Sequence, residues 1–219
     1  HPAALKIPEH HHDTRFMVDS VMDYIRATDD AFCVHLSLLR PHPPWVAPEP
    51  YNQLYDPTDL TDFIRAESPQ IEAEQHPFLA EMLATKHYSA PEDQAKLTRL
   101  KSSYFGLMTD VDANLGRLFA FLKENGQWDN TLIIFTSDHG EQMGDHHLLG
   151  KLGYFDASFH IPLIIRDPDF DPSRGNAQID HFTENVDIMP TILDWLDLEC
   201  PVQCDGQSLR PLIQKGTPT

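Results

Sequence analysis

Basic residues and long apolar runs are what this 219-residue chain has least of. It contains 16 lysines and arginines against 34 aspartates and glutamates, a formal net charge of −18. Nucleic acid and anionic membrane surfaces repel such a chain, so we expect neither as a partner. No apolar run approaches the roughly 18 residues of a membrane-spanning helix, and none is predicted. An anionic ligand would have to be held locally, by a metal ion or a few placed cations.

Cysteine is also scarce, with three residues in the chain. Cys33 stands in an apolar stretch and is predicted to be a buried core residue. Cys200 and Cys204 are close enough in sequence to pair, but three cysteines do not make a disulfide framework. This usage favours a reducing compartment such as the cytoplasm, and the location itself stays unknown.

The first residues include no initiator methionine and no secretory pattern. We expect them to be an internal point of a longer chain. The following His10-His11-His12 is predicted to be an exposed polar lead-in to the first helix, with a metal clip as the alternative.

Apolar periodicity predicts alternating helices and strands. Buried strands are predicted at 31–39, 131–136, 160–166 and 178–182, and helices after Asp13, at 91–125 and at 187–196. Residues 47–91, rich in proline and charge, are predicted to be an irregular excursion with short helices near 59–66 and 69–84. This alternation predicts a layered α/β/α domain with a mixed, mostly parallel sheet. The inner stripe of the long helix is predicted to contain Tyr104, Leu107, Met108, Val111, Leu115, Leu118 and Leu122.

The most informative segment is residues 132–141, where an apolar strand stops at Asp138, His139 and Gly140. Ligands of open α/β sheets lie just beyond the carboxyl ends of such strands. A carboxylate oxygen and a neutral imidazole nitrogen are ligands of divalent metals. Asp138 and His139 are therefore predicted to form half of a metal site. The alternative is an aspartate that caps the next helix, beside a surface histidine.

Several blocks, in order along the chain, resemble the sulfatase branch of the alkaline phosphatase superfamily, most closely its phosphonate monoester hydrolases and arylsulfatases. The resemblance runs from about residue 14 to residue 213. It implies a partial alkaline-phosphatase-like (sulfatase) fold, with residues 1–219 as the C-terminal part of a catalytic domain. The blocks are Arg40-Pro41-His42-Pro43-Pro44-Trp45, residues 129–135, Ser137 to Lys151, residues 160–164, residues 185–191 and residues 206–209.

By that resemblance, Asp138 and His139 bind the active-site divalent metal, which is Mn, Zn, Ca or Mg; the histidine favours Mn²⁺ or Zn²⁺ over Ca²⁺. Lys151 binds the tetrahedral group and assists departure of the alcohol or phenol. His42 binds the substrate or acts as an acid at the leaving oxygen. His146 orients the loop or a ligand. The alternatives are an exposed loop lysine at 151 and a purely structural histidine at 42.

Four further residues carry weaker expectations. Asp145 and Glu141 either make hydrogen bonds that orient the residues of that site or face solvent. His147 either shapes the pocket or, as we expect, is exposed. Asp187 is expected to cap its helix.

The family's nucleophile stands in a Cys/Ser-x-Pro-x-Arg motif, in which the cysteine is oxidised to formylglycine, and none of the three cysteines fits it. The acidic pair that supplies the first metal ligands of family members is also absent. We therefore expect the formylglycine nucleophile in a missing N-terminal part, and these 219 residues alone to be inactive.

For the full-length enzyme, the resemblance implies a homo-oligomer that hydrolyses small anionic substrates, either sulfate esters or phosphonate and phosphate mono- and diesters. Two alternatives remain open. One is a non-catalytic binding or assembly module that retains the fold. The other is a phosphatase of the same superfamily with a serine or threonine nucleophile.

Overall fold

The structure, a computed structural model, describes residues 8–85, 88–170 and 178–215. The chain divides into two compact units, the first formed by His1–Asp129 and His139–Ile161 and the second by Asn130–Asp138 and Pro162–Thr219. The helices are α1 (Asp13–Arg26), α2 (Pro69–Ala73), α3 (Pro77–Ala84), α4 (Gln94–Glu124), α5 (Asp156–Phe159), α6 (Ile188–Trp195) and α7 (Arg210–Lys215). The strands are β1 (Ile133–Thr136), β2 (Gln142–Met143), β3 (Leu149–Gly150) and β4 (Leu163–Arg166).

The long helix α4 is the scaffold of the first unit. Its N-terminus is capped by Asp93, whose side chain accepts hydrogen bonds from the amides of Ala95 and Lys96. Gly126, with a φ of +67°, follows its C-terminus. The prediction of a helix at 91–125 is thus confirmed, with a start three residues later and an end one residue earlier.

The buried face of α4 is less apolar than its predicted stripe. Met108 was predicted to face inward, but it is 46% exposed. A Cβ atom on Gly106 would lie 2.4 Å from the carbonyl oxygen of Tyr51, so the segment around Tyr51 lies directly on the helix. Close backbone approach selects small residues, which apolar periodicity does not detect. Small or polar residues on this buried face are Ser102, Ser103, Gly106, Asp110 and Asn114.

Helix α1 packs on α4 through an apolar stripe that includes Val18, Met22 and Ile25. The residue before α1, His12, is 1% exposed, and its Nδ1 lies 3.0 Å from Oδ2 of the buried Asp110 in α4. The prediction of an exposed three-histidine lead-in is therefore wrong at its last residue. The Asp110 carboxylate, on the buried face of α4, interacts with this imidazole and keeps it in the protein interior.

The excursion at 47–91 contains short helices, as predicted, but not all at the predicted places. The segment predicted near 69–84 is split into α2 and α3, because Pro77 cannot continue a preceding helix. No helix forms at 60–66. There, the amide of Ile64 donates to Asp145 Oδ1 at 2.8 Å and that of Ala66 donates to Glu72 Oε2 at 2.5 Å. These amides donate to side chains outside the segment and not to the carbonyls of a helix.

Glu72 joins this excursion to the turn at Asp145–His147. Its side chain is fully buried and accepts hydrogen bonds from Gln75 at 2.7 Å and from His146 Nδ1 at 2.8 Å, besides the Ala66 amide. Burial would raise the pKa of Glu72, but these hydrogen bonds outweigh it and hold the pKa below its usual value. The ionised carboxylate is therefore favoured by folding.

We expect Glu72→Gln to lower the free energy of unfolding by about 1–3 kcal/mol at pH 7, because a buried charge-assisted network is lost. A carboxyl with a lowered folded-state pKa stabilises the fold above its unfolded pKa, and this contribution is lost as the pH falls through the folded value. The difference between wild type and variant should therefore shrink between pH 6 and pH 3 in urea denaturation. Glu74→Gln, an exposed neighbour, is the matched control. A pH-independent difference would contradict this account.

Two strand ladders are formed among the described residues, and both are antiparallel. In the first unit β2 pairs with β3, Gln142 opposite Gly150. In the second unit β1 pairs with β4, Ile133 opposite Arg166, and α6 contacts α7. The α/β class is confirmed, while the mostly parallel order that we predicted is not seen in these residues.

The other two predicted strands are not formed. Residues 31–39 alternate in exposure, which explains the prediction, but they pair with no strand among the described residues, and Cys33 is exposed, not buried. Residues 178–182 are also not a strand, and Phe182 is fully exposed. Cys200 and Cys204 are free thiols. None of the described helices combines the length and apolar character that crossing a membrane requires.

Candidate functional site

The ladder of β2 and β3 places an acid opposite an amine in the first unit. Gln142 pairs with Gly150 and Met143 with Leu149. Extending this register by one residue brings Glu141 opposite Lys151. The amide of Gly150 also donates a hydrogen bond to the Glu141 carboxylate. The ladder therefore fixes the position of the backbone of the exposed Lys151 relative to Glu141.

Glu141 is the residue around which the predicted site residues of the first unit gather. Burial raises its pKa, while the charges of Lys151, His139 and His42 act in the opposite direction. Burial prevails, and Oε1 is buried without a hydrogen bond among the described residues. Three side chains that the sequence singled out separately thus interact with one carboxylate. Of the two expectations for Glu141, the structure supports a place in the site over a solvent-facing one.

Tyr104 of α4 also interacts electrostatically with Glu141. Burial raises its pKa to about 12, and the nearby charge of Glu141 contributes in the same direction. The phenol therefore stays protonated throughout the physiological pH range. Tyr104 is half-buried, in keeping with its predicted place on the inner stripe.

Gly140 fixes the backbone between His139 and Glu141. Its amide donates to the carbonyl oxygen of Ser158 at 2.7 Å. A Cβ atom at this position would lie 2.1 Å from the carbonyl oxygen of Ala157, so only glycine fits. The close approach explains why glycine follows the Asp-His pair.

The half-buried His139 has a defined tautomer. Its Nδ1 lies 2.8 Å from the carbonyl oxygen of Gly140, which can only accept, so Nδ1 carries the proton. In the neutral ring, Nε2 then carries the lone pair. A metal-ligating histidine commonly has its other ring nitrogen bonded in this way. The protonation pattern of His139 therefore fits a divalent metal ligand.

Asp138 belongs to the second unit, where it follows the end of β1. Asn185 donates to the carbonyl oxygen of Ser137 at 3.0 Å and accepts from Thr136 at 3.3 Å, which anchors the end of the strand. The Asp138 side chain is exposed and provides hard oxygen ligands. The role of Asn185 has no local sequence signal, because its contact with Ser137 spans 48 residues.

The prediction that Asp187 caps its helix is wrong, because its side chain makes no cap hydrogen bond to α6 and serves the turn before it instead. The Asp187 side chain accepts a hydrogen bond from the amide of Glu184, and the Glu184 side chain accepts one from the amide of Asp187, forming a capping box. Asp187 also accepts from the amide of Gln207 at 2.8 Å. Its carboxylate is thus used to hold the turn before α6.

The described residues contain no cluster of three or more histidine, cysteine or acidic side chains arranged to hold a metal. Hard divalent cations take about six ligands. Asp138 in the second unit and His139 in the first can each provide at most one residue's ligands to such a coordination sphere. Water, substrate or other residues would complete it.

His42 lies on the proline-rich loop and is exposed. Its Nδ1 donates to the carbonyl oxygen of Pro43 at 2.9 Å, since that oxygen can only accept. The neutral ring therefore has its lone pair on Nε2, the atom that can exchange a proton with a ligand.

The turn at Asp145–His147 is held against the 64–72 segment. His146 stacks on Phe155 with ring centroids 3.6 Å apart, and this contact and its bond to Glu72 orient the loop that leads to Lys151. His147 Nε2 donates to the carbonyl oxygen of Ala66 at 2.9 Å. The prediction of an exposed His147 is wrong, because this hydrogen bond holds it half-buried.

Comparison with known proteins supports one family. The sulfatase family pattern matches residues 3–198. The chain is 44% identical over 231 residues to a multifunctional alkaline phosphatase superfamily protein, PehA, of Trinickia caryophylli, covering 98% of this chain and 44% of that protein. It is 31% identical over 217 residues to an arylsulfatase of Clostridium perfringens, covering 96% of this chain and 44% of that protein.

A solved structure agrees. The phosphonate monoester hydrolase of Agrobacterium radiobacter superimposes with a TM-score of 0.91 at 38% identity, over 100% of this chain and 45% of that one. The chain thus spans less than half the length of each of these relatives. Sulfatases generally use a divalent metal and formylglycine. On the sequence match and the shared fold, this chain belongs to the sulfatase family.

Proposed function

We propose that this chain supplies part of the active site of a metal-dependent hydrolase. Its substrates would be small anionic esters, either sulfate esters or phosphonate and phosphate mono- and diesters. The observation that carries the proposal is that the β2–β3 register extends to place Lys151 opposite the half-buried Glu141, on which the nearby His139 and His42 also act. In a chain of net charge −18, one lysine with two imidazoles nearby is the kind of local site that an anionic substrate requires.

His139 is the proposed metal ligand of the first unit, through Nε2. For Asp138, the support is the sequence motif and its position next to His139 in the chain. When bound, a divalent ion would neutralise the non-bridging oxygens of the ester and lower the pKa of the attacking group. An imidazole beside a carboxylate favours Mn²⁺ or Zn²⁺ over Ca²⁺.

Lys151 and His42 are the proposed groups for the substrate and its leaving oxygen. The exposed ammonium of Lys151 would bind an ester oxygen and offset the negative charge that develops as the bond breaks. Glu141 lies opposite Lys151 when the β2–β3 register is extended by one residue, and the two charges interact. A protonated His42 would donate its Nε2 proton to the leaving oxygen, while its Nδ1 stays bonded to Pro43.

The longest natural protein that contains this sequence should hydrolyse 4-nitrophenyl sulfate or a 4-nitrophenyl phosphonate ester. A chelator should abolish turnover and added Mn²⁺ or Zn²⁺ should restore it, since the metal would neutralise the charge of the ester oxygens. These 219 residues alone should turn over neither ester. No turnover of either ester by the metal-loaded protein would contradict the proposal and favour the binding module. Turnover by a protein whose nucleophile is an unmodified serine or threonine in mass spectrometry would favour the phosphatase.

Metal binding itself should depend on His139. We expect His139→Ala to weaken Mn²⁺ binding at least about tenfold in calorimetric titration of the same protein, because an inner ligand is lost. His11→Ala, an exposed histidine next to α1, is the matched control and should bind like wild type. Equal affinities for both variants would remove His139 from the site.

Lys151 should matter most when the leaving group is poor. We expect Lys151→Ala to lower kcat about 10²- to 10³-fold for a phenyl ester, where charge on the leaving oxygen needs an external cation. The loss should be several-fold smaller for the 4-nitrophenyl ester, which delocalises that charge itself. Lys123→Ala, on an exposed lysine at the end of α4, controls for general charge. Equal losses for the two esters would exclude a leaving-group role for Lys151.

A further inference from the structure

We infer that Arg40 is a positioning residue for His42, and that it is held in place by Asp13 and the buried His12–Asp110 pair. The inference rests on the proposed function, in which His42 gives a proton to the leaving oxygen. All of these residues belong to the first unit.

The guanidinium of Arg40 holds the backbone on both sides of the His42 imidazole. Its Nη1 donates to the carbonyl oxygen of His42 at 3.1 Å and to that of Pro44 at 3.3 Å. The carbonyl between them, that of Pro43, accepts from the imidazole itself. Three successive carbonyls are therefore engaged, two by Arg40 and one by His42. The direction of the imidazole depends on the loop that Arg40 fixes.

Asp13, at the start of α1, fixes the plane of that guanidinium. Arg40 Nη2 lies 3.0 Å from Oδ2 of Asp13, and Nε donates to Oδ1 at 3.3 Å. This two-point contact orients a guanidinium but not a lysine ammonium, which is a single rotating donor group. The Arg40 side chain is 11% exposed and that of Asp13 is 37% exposed, so the contact is partly shielded from water.

Asp13 in turn lies next to a buried pair of side chains. His12 Nδ1 lies 3.3 Å from Asp13 Oδ1 and 3.0 Å from Asp110 Oδ2, and Asn114 donates to Asp110 Oδ1 at 3.0 Å. His12 and Asp110 are almost completely buried. The contacts thus run without a break from the middle of α4 to the loop of His42. Because His12 and Asp110 are both buried, close packing leaves their side chains little room for another arrangement.

The test is Arg40→Lys in the longest natural protein that contains this sequence. The substitution keeps the positive charge and removes the planar guanidinium that makes two contacts with Asp13. We expect kcat for a phenyl ester to fall about tenfold to a hundredfold with KM little changed, since a displaced acid slows the chemical step. The 4-nitrophenyl ester, whose leaving group needs no proton, should lose less than threefold by the same reasoning.

A double variant separates positioning from a general structural role. His42→Ala should show the same dependence on the leaving group, and Arg40→Lys combined with His42→Ala should be no slower than His42→Ala alone. Arg15→Lys is the matched control, because Arg15 in α1 pairs with Asp19 and Glu9 and is not bonded to the His42 loop. It should leave both esters unaffected. Additive losses in the double variant would overturn the inference, as would equal losses of Arg40→Lys on the two esters.

A measurement without turnover keeps the inference separate from the proposed function. With ¹⁵N-labelled histidine, His42 in wild type should show the shifts of one tautomer, protonated at Nδ1. Arg40→Lys should move these shifts towards a tautomer average, and Arg15→Lys should not. Unchanged His42 shifts in Arg40→Lys would overturn the inference. An inactive wild type with altered His42 shifts in Arg40→Lys would instead count against the proposed function alone.

Discussion

A carboxylate that is buried with one oxygen unbonded is tolerated in a protein only where positive groups offset the lost hydration. Oε1 of Glu141 is such an oxygen, and the Gly150 amide, Lys151, His139 and His42 oppose the effect of burial without cancelling it, so the pKa of Glu141 stays raised. This balance explains how a protein with 34 acidic residues and a net charge of −18 keeps a region that favours anions. Gly140, without room for a side chain, fixes the backbone on which the balance depends.

The elements that the sequence predicted correctly are those whose signals are local. The Asp93 cap and the following periodicity identified α4, and unbroken apolar runs identified β1 and β4. The failures concern pairing and close approach. Residues 31–39 have the alternation of a strand but no partner among the described residues. Residue 106 is buried because a distant carbonyl lies against it, which no periodicity records.

The site divides in the same way. The site residues His42, His139 and Lys151 lie in sequence blocks that resemble those of the family. The chemistry of the imidazole and the amine explains why these residue types stand there. Asn185 and Glu141 were given no role or an open one, because what they do depends on partners far along the chain or on depth of burial. His12 was placed at the surface because its partner, Asp110, is almost a hundred residues away. Polar residues in the apolar stripe of α4 were the one available signal for such a partner.

The short ladder of β2 and β3 has a further consequence for how this loop can vary. Side chains of a strand alternate between its two faces, so one residue inserted between Gly144 and Leu148 would shift the pairing of everything after it. Lys151 would then leave its place across from Glu141, and a neighbour without an amine would take it. Substitutions within the turn leave this count intact. The ladder thus constrains the length of the loop, while the contacts of Asp145 and His146 with Ile64 and Glu72 constrain its composition.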